Sequence, residues 1–298
     1  MNILVLGGSG FIGSQLLLKL EYSCHNVLSL SRTKPKVELS NVTCVETSLV
    51  DALSNDTVLQ FYPDVIINLA SGNHPRNSTF KEVEDMEFVL TPFFKLLDYY
   101  YNRSGHIKVV FSSSFGAIYK SPKLKEVKIN SDTNYMATKV AIENYLSAYT
   151  LSRDNVSTVI LRISNPVGSS DKNDFGIVNV FSKKIISGES IEFVGDFNVS
   201  KDYISVEDTV EAIFKSVDAD ISGYKVLNIN SGVYLTAEQM YLSIKELYLN
   251  KPSIYEYSIV NSKSFQKEEP YLESIEWKPK KNVFEKIYEI FKSYEGDN

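Results

Sequence analysis

Two short motifs in this sequence are of the types that carry chemistry. Glycines at Gly7, Gly10 and Gly13 follow a short apolar run and open a helical pattern. That order is typical of a turn that brings backbone N–H groups close to the diphosphate of a dinucleotide. Far along the chain, Tyr135 and Lys139 are four residues apart, so on a helix the phenol and the ammonium face the same side. A neighbouring cation lowers the pKa of a phenol, which would suit Tyr135 to proton exchange at neutral pH.

A run of three serines, Ser112 to Ser114, follows the strand-like residues 107–111. In an open parallel sheet, ligands bind beyond the carboxyl ends of the strands. A serine turn at that position would place a hydroxyl beside the Tyr135 and Lys139 pair, where it could hold a reacting oxygen.

Short β-rich runs alternate with helical patterns through the first half of the chain. Residues 3–6, 27–31, 42–45, 65–70, 107–111 and 158–163 have strand character, and 83–101 and 135–149 have helical spacing. This alternation predicts an α/β fold, a Rossmann-type doubly wound parallel sheet with right-handed crossovers.

The pattern changes after Arg162. It predicts helices at 178–186 and 207–217, strands at 203–206 and 226–229, and irregular surface over 250–281. Two more helices are predicted to begin with capping boxes, one formed by Thr236 with Gln239 and the other by Asn282 with Glu285. We expect a dinucleotide-binding Rossmann domain in residues 1–165, to which 202–229 returns. Residues 166–201 and 230–298 are expected to form a smaller, substrate-binding cap.

Composition excludes several classes of function. The 298 residues are 43% hydrophobic and 23% charged, with a net charge of −6. The acidic balance and the lack of a basic block argue against a nucleic-acid or anionic-membrane partner. Cys24 and Cys44 lack metal-ligand spacing, and the three histidines are scattered, so we expect free thiols and no metal site. The absence of an apolar span or signal-peptide pattern predicts a cytoplasmic protein.

Taken together in order, the motifs resemble those of the extended short-chain dehydrogenase/reductases. The resemblance is strongest to the NAD-dependent epimerase/dehydratase branch, which includes the UDP-galactose 4-epimerase-like nucleotide-sugar enzymes. It rests on the glycine turn, Asn68-Leu69-Ala70, the serines, Tyr135-x-x-x-Lys139, and the stretches 161–168, 201–208, 227–232 and 276–279.

The resemblance implies a role for each motif residue. By similarity, Tyr135 is the acid/base at the sugar oxygen, Lys139 binds the nicotinamide ribose, and Ser114 hydrogen-bonds the same sugar oxygen. Ser113 is the neighbouring candidate for the role of Ser114. Further cofactor contacts are expected from Phe11, Ile12, Leu69 and Ala70, and substrate contacts from Asn165 and from Lys201, which stands where the family usually has Arg.

The end of the second strand departs from the family pattern. NAD-binding relatives have an acidic residue there that binds the ribose diol. This chain has Ser31-Arg32-Thr33-Lys34 instead. Cations and hydroxyls without a carboxylate favour a ribose 2′-phosphate, so Ser31, Arg32 and Lys34 predict NADP(H) in preference to NAD(H).

Cofactor choice bears on the reaction, since a reductase consumes reduced cofactor whereas a 4-epimerase returns the hydride to its substrate. We therefore expect NADPH-dependent reduction of a 4-keto nucleotide sugar, in the synthesis of sugars for surface polysaccharides. The alternatives are an NAD-dependent 4-epimerase, a non-catalytic NADP-binding sensor, and an oxidoreductase of a small non-nucleotide carbonyl. The family resemblance also implies a homodimer formed through helices 83–101 and 135–149.

Overall fold

The computed structural model describes residues 1–71, 82–118, 133–168, 176–191, 199–249 and 272–295. The strands are β1 (Asn2–Leu6), β2 (Asn26–Ser31), β3 (Val42–Glu46), β4 (Val65–Asn68), β5 (Ile107–Ser114), β6 (Val156–Ile163), β7 (Asn165–Val167), β8 (Lys201–Ser205), β9 (Tyr224–Ile229) and β10 (Tyr234–Leu235). The helices are α1 (Phe11–Glu21), α2 (Asp56–Leu59), α3 (Glu82–Asp85), α4 (Thr91–Tyr101), α5 (Phe115–Ile118), α6 (Asn134–Leu151), α7 (Ile177–Ser187), α8 (Val206–Asp218), α9 (Ala237–Tyr248) and α10 (Val283–Glu295).

Seven parallel strands form the central sheet, in the order β3-β2-β1-β4-β5-β6-β9. The chain runs outward from β1 to β3, then crosses back and continues from β4 on the other side of β1. The carboxyl ends of β1 and β4 therefore flank the point where the strand order reverses, which is where such sheets bind ligands. The predicted Rossmann-type doubly wound fold is confirmed.

Each face of the sheet carries its own hydrophobic core, because the central strands are apolar at successive positions and are buried on both sides. One core joins the sheet to α1 and α8, through residues such as Leu17 and Ile213. The other joins it to α4 and α6, through residues such as Phe93 and Leu146. Both helices of the predicted catalytic region are therefore positioned by the second core.

The helix predicted over 83–101 is present but is not regular. Helix α3 passes into a π-helical turn, Met86–Leu90, before α4 begins. The N–H of Thr91 reaches back five residues to the carbonyl of Met86. Pro92 explains the wider turn, because proline lacks an N–H and its ring clashes with the carbonyl four residues earlier.

Strand β5 is longer than predicted, and this changes the setting of the serines. Ser112, Ser113 and Ser114 pair in parallel register with Leu161, Arg162 and Ile163 of β6. The prediction of a serine turn is therefore wrong. Pairing with the equally long β6 keeps the backbone extended, so alternate serines point to opposite faces of the sheet.

A second layer is built from the later part of the chain. Strands β10, β8 and β7 form a small sheet, on which α7, α9 and α10 pack around a third core. The capping box predicted at Thr236 and Gln239 is confirmed. At the last helix, Asn282 accepts a hydrogen bond from the N–H of Phe284 rather than from that of Glu285.

The segment before α10 is not the irregular surface that we predicted. Residues 250–271 lie outside the described ranges, but Trp277 is fully buried against the core that contains α8. Its indole N–H donates to the backbone carbonyl of Asp208, and both carboxylate oxygens of Asp208 accept backbone N–H groups, from Lys280 and Lys281. Helix α8 and β9 lie with the large sheet, whereas β8 lies in the small one. The division into a dinucleotide-binding domain and a cap stays a prediction.

Candidate active site

The glycine turn between β1 and α1 leaves no room for side chains. Gly7 has a positive φ of 86°, and a Cβ there would lie 3.0 Å from the backbone N of Ala70, at the end of β4. At Gly13 a Cβ would lie 2.3 Å from the carbonyl oxygen of Gly7. These contacts keep β1, β4 and the start of α1 close together, so a ligand at the turn meets bare backbone.

The first turn of α1 is open to an anionic ligand. Its N-cap is Gly10, and no side chain of the described residues caps the helix. The N–H groups of Phe11, Ile12 and Gly13 therefore point out of the helix end, together with the positive end of the helix dipole. A glycine-rich turn and an uncapped helix end fit a dinucleotide diphosphate.

The end of β2 lies beside the same turn. The Ser31 hydroxyl accepts a hydrogen bond of 2.9 Å from the N–H of Ser9, and Thr33 donates to the Ser9 hydroxyl. Arg32 and Lys34 are exposed, and neither has an ion-pair partner among the described residues. Ser31 therefore shapes the turn, while the two cations face solvent with their charges uncompensated.

Across the sheet edge, Tyr135 on the first turn of α6 forms a hydrogen bond with the Ser114 side chain. Burial raises the pKa of Tyr135, and the hydrogen bond with Ser114 offsets only part of that rise. The prediction that Tyr135 has a lowered pKa is wrong for this structure. The phenol therefore keeps its proton at neutral pH.

The Lys139 ammonium bonds to strand β5 rather than to the phenol oxygen, which explains why it does not lower the pKa of Tyr135. Its Nζ donates a 2.8 Å hydrogen bond to the carbonyl of Ser112 and lies 5.8 Å from the centroid of the Tyr135 ring. Burial lowers the pKa of Lys139 to about 8, although the carboxylate of Glu143 opposes the shift. The ammonium is therefore fully buried and held by β5.

A small cavity opens beside these two side chains. It is lined by Ala70, Ser71, Asp85, Val89, Tyr135, Thr138, Lys139 and Ile142. Asp85 is almost completely buried, and one of its carboxylate oxygens accepts a 3.1 Å hydrogen bond from Thr138. Sequence reasoning missed both residues. The spacing of Thr138, three residues after Tyr135, was a signal for its side of the helix. Asp85 faces the cavity while Glu87 is exposed, as expected of helix residues that are two positions apart.

Ser113 does not join this group. It is buried, and its hydroxyl donates to the carboxylate of Glu143 on the face of β5 opposite to Ser114. The structure thus gives no support to a substrate contact from Ser113 and leaves Ser114 as the serine beside Tyr135.

The two other predicted substrate contacts lie in the small sheet. Asn165 on β7 donates a 2.7 Å hydrogen bond to the carbonyl of Asp202 on β8. Lys201 precedes Asp202 and is exposed. Leu69 follows β4 and packs on the core that holds α1. The structure therefore joins Asn165 to the strand that carries Lys201, and Asn165 lies two residues beyond Ile163, which pairs with Ser114.

An uncapped helix end at the switch point of a doubly wound sheet, with a hydrogen-bonded tyrosine at the same edge, is the arrangement of a dinucleotide-dependent enzyme. The chain belongs to the NAD dependent epimerase/dehydratase family, which matches it over residues 3–230. The described ranges contain no helix that is long and apolar enough to cross a membrane.

Individual relatives differ in the reaction they are named for. A putative UDP-glucose 4-epimerase of Methanocaldococcus jannaschii is 26% identical in an alignment that covers 99% of each chain. The dTDP-4-dehydro-6-deoxyglucose reductase of Escherichia coli is 28% identical over 271 residues, which cover 85% of this chain and 83% of the reductase. Among solved structures, the UDP-glucose 4-epimerase of Thermus thermophilus in complex with NAD matches with a TM-score of 0.76 at 22% identity, over 100% of both chains. That likeness confirms the fold.

The glycine turn gives a direct test of dinucleotide binding. We expect Gly13→Ala to weaken NAD(P)H binding by about tenfold or more, because its Cβ would push the Gly7 carbonyl and open the turn. Fluorescence titration of the reduced cofactor measures the change. Gly105→Ala is the matched control, since a Cβ there has no neighbour within 4 Å. Equal affinities in the two variants would contradict a dinucleotide site at this turn.

Proposed function

We propose that this protein is an NADPH-dependent reductase of a 4-keto nucleotide sugar. The Ser114 and Tyr135 hydrogen bond beside buried Lys139 supports hydride-transfer chemistry, since it supplies a proton donor and a second hydroxyl at one point. The exposed cations Arg32 and Lys34, which have no ion-pair partner among the described residues, favour the phosphorylated cofactor and carry the choice of a reductase.

The reduced nicotinamide, when bound, supplies a hydride to the carbonyl carbon. Tyr135 then donates its proton to the carbonyl oxygen, which its raised pKa allows because the phenol is protonated at neutral pH. Ser114 hydrogen-bonds the same oxygen and stabilises the negative charge that develops there. Lys139, held by the Ser112 carbonyl, presents a cation to the nicotinamide ribose.

Two residues of the small sheet are the proposed substrate contacts, and the relatives indicate the class of substrate. Lys201 is exposed and can neutralise a diphosphate, although only as a point charge. Asn165 lies on the adjacent strand in register with Tyr203, and we expect its exposed amide to contact the same ligand. The Escherichia coli relative named for a dTDP-4-keto sugar supports a nucleotide diphosphate-sugar as the substrate class.

An NAD-dependent 4-epimerase is the second candidate. It is favoured by the relative named as a UDP-glucose 4-epimerase and by the NAD in the Thermus thermophilus structure. The same Ser114, Tyr135 and Lys139 would serve it, with the tyrosine taking a proton in one half-reaction and returning it in the other. The two candidates therefore differ in cofactor handling, not in catalytic residues.

We propose a cytoplasmic location for this reaction. Cys24 and Cys44 are both free thiols, which fits a reducing compartment, although we predicted buried thiols from the sequence and Cys24 is exposed and Cys44 only partly buried. NADPH and nucleotide sugars are cytoplasmic metabolites in the reaction that we propose.

The cofactor preference is tested by charge removal at the end of β2. We expect the wild-type protein to bind NADPH more tightly than NADH, and Arg32→Ala/Lys34→Ala to lose about tenfold or more in NADPH affinity with little change for NADH. Titration of stripped protein with all four cofactor forms measures this. Lys225→Ala, an exposed lysine on β9, is the control. Tightly co-purified NAD⁺, and a double variant that binds like wild type, would contradict the NADP(H) preference and favour the epimerase.

The reaction is tested with a panel of 4-keto sugars attached to UDP, dTDP, GDP and CDP. We expect one of them to oxidise NADPH, and Tyr135→Phe to lower turnover at least about 100-fold because the proton donor is lost. Tyr22→Phe is the control, an exposed tyrosine after α1 that lies outside the site and outside the proposed dimer interface. Interconversion of UDP-glucose and UDP-galactose without net NADPH oxidation would establish the epimerase instead, and tight NADPH binding without any turnover would establish a non-catalytic binder.

We also propose a homodimer through α3, the π turn, α4 and α6. Val83, Met86 and Phe88 are more than half exposed on the first of these helical segments, and Tyr145 is similarly exposed on α6. Light scattering with size-exclusion chromatography should give twice the chain mass, and Met86→Glu/Phe88→Glu should give one chain. Tyr22→Glu, at an exposed position after α1, should leave the dimer intact. A wild-type monomer at micromolar concentration would refute the interface.

A further inference from the structure

Glu143 is a buried carboxylate on α6 for which the proposed chemistry has no use. It lies one helical turn after Lys139 and two turns after Tyr135, on the same side of the helix. Its side chain is 5% exposed and forms an ion pair with Arg162 of β6. One terminal guanidinium nitrogen of Arg162 donates to the carboxylate at 2.8 Å, and Nε donates at 3.3 Å, so the carboxylate accepts hydrogen bonds from two nitrogens of the same guanidinium group.

The same residue is tied to two further strands. Its carboxylate also accepts the Ser113 hydroxyl of β5, the residue next to Ser114. Its backbone carbonyl accepts a 3.2 Å hydrogen bond from the hydroxyl of Tyr224 on β9. Three neighbouring strands of the large sheet therefore hold α6 at this one position.

These contacts link the two halves of the catalytic group. Ser114 is carried by β5, whereas Tyr135 and Lys139 are carried by α6. A shift of α6 by a fraction of a turn would separate the Tyr135 phenol from the Ser114 hydroxyl, and Glu143 is bonded to the residue beside that serine.

We propose that Glu143 is a positioning residue: by binding Ser113 and Arg162 it holds α6 in register with β5, and it places a negative charge one turn from Lys139. The inference rests on the proposed function, because Glu143 positions catalytic groups only if Ser114, Tyr135 and Lys139 carry out the proposed chemistry. It does not depend on which nucleotide sugar is bound.

The charges around Lys139 give this role an electrostatic consequence. Lys139 is faced by Tyr135 and Glu143 from its own helix, by the Ser112 carbonyl from β5, and by Asp85, which lines the same cavity from α3. Among these, the Glu143 carboxylate raises the pKa of Lys139 against the effect of burial. Loss of that charge should therefore make Lys139 release its proton at a lower pH.

A buried ion pair is by itself weak evidence for a stabilising role, since well-packed apolar residues often replace such pairs without loss of stability. The test must therefore separate positioning from simple structural support. Glu143→Gln keeps the size of the side chain and removes the charge, but it also replaces one acceptor oxygen, bonded to Arg162 or Ser113, with an NH2 donor. Glu238→Gln, an exposed residue at the start of α9, makes the same change of charge away from the site.

The first readout needs no turnover. In protein labelled with ¹³C-lysine, the Lys139 resonance is identified by its loss in Lys139→Met and is titrated by NMR. We expect it to titrate near pH 8 in the wild type and in Glu238→Gln, and clearly lower in Glu143→Gln. If the single variant does not fold, Glu143→Gln/Arg162→Gln removes both members of the buried pair and should shift Lys139 in the same direction.

The second readout is kinetic. With the substrate found by the panel, we expect Glu143→Gln to lower kcat by about tenfold or more, with the alkaline limb of its pH profile moved to lower pH and NADPH affinity within about threefold of wild type. An unchanged Lys139 titration together with an unchanged pH profile overturns the inference, whatever the change in melting temperature. A shifted Lys139 titration in a protein without turnover on the panel supports the inference while the proposed reaction fails, so the two failures are distinguishable.

Discussion

The burial of one ammonium group, that of Lys139, is the constraint on which the arrangement of the site depends. A pKa of about 8, against an ordinary value of 10.5, means that burying the charged form of this lysine lowers the free energy of unfolding by on the order of 3 kcal/mol. The penalty is fully present below pH 8. It disappears as the pH rises from 8 to 10.5, because in that range only the unfolded chain binds the proton.

Two contacts make this burial tolerable, and both depend on strand β5. The Ser112 carbonyl accepts the Nζ hydrogen bond, which requires the strand to continue as far as the serines. Glu143 supplies the opposite charge and is itself held by Ser113. The pairing of β5 with β6 over eight residues is therefore needed for chemistry as well as for the sheet. A shorter strand would leave Lys139 without its partner.

Sheet topology then brings the cofactor turn to the same edge. Strand β4 separates β1 from β5, so the glycine turn and the Tyr135 region lie about 10 Å apart across the carboxyl ends, at roughly 4.8 Å per strand. An extended dinucleotide spans such a distance. Its diphosphate can lie on the start of α1 while its nicotinamide half reaches Lys139.

Much of this could be predicted from sequence, and the failures have physical causes. Strand runs, the glycine turn and the Tyr135 and Lys139 spacing depend on local periodicity, which the sequence displays directly. The extension of β5 depends on its pairing with β6, and the burial of Trp277 depends on α8, so neither is visible locally. The prediction of a lowered pKa for Tyr135 was wrong for the same reason. Helical spacing shows that Lys139 and Tyr135 lie on the same side of the helix, but not that the Lys139 ammonium bonds to a strand carbonyl. Glu143 was missed because its three strand partners are far away in sequence.

The choice between reductase and epimerase depends on a different part of the molecule from the chemistry itself. Both reactions can use Ser114, Tyr135 and Lys139 in the same geometry, so nothing at that end of the sheet distinguishes them. They differ in whether the cofactor leaves after each turnover. A reductase must accept fresh NADPH and release NADP⁺, and this favours recognition by exposed groups at the rim of the site. Arg32 and Lys34 meet that requirement, since both are exposed cations and neither is neutralised by a described residue. An epimerase that keeps NAD bound has no 2′-phosphate to neutralise, so its binding of NAD does not require the two cations at the end of β2.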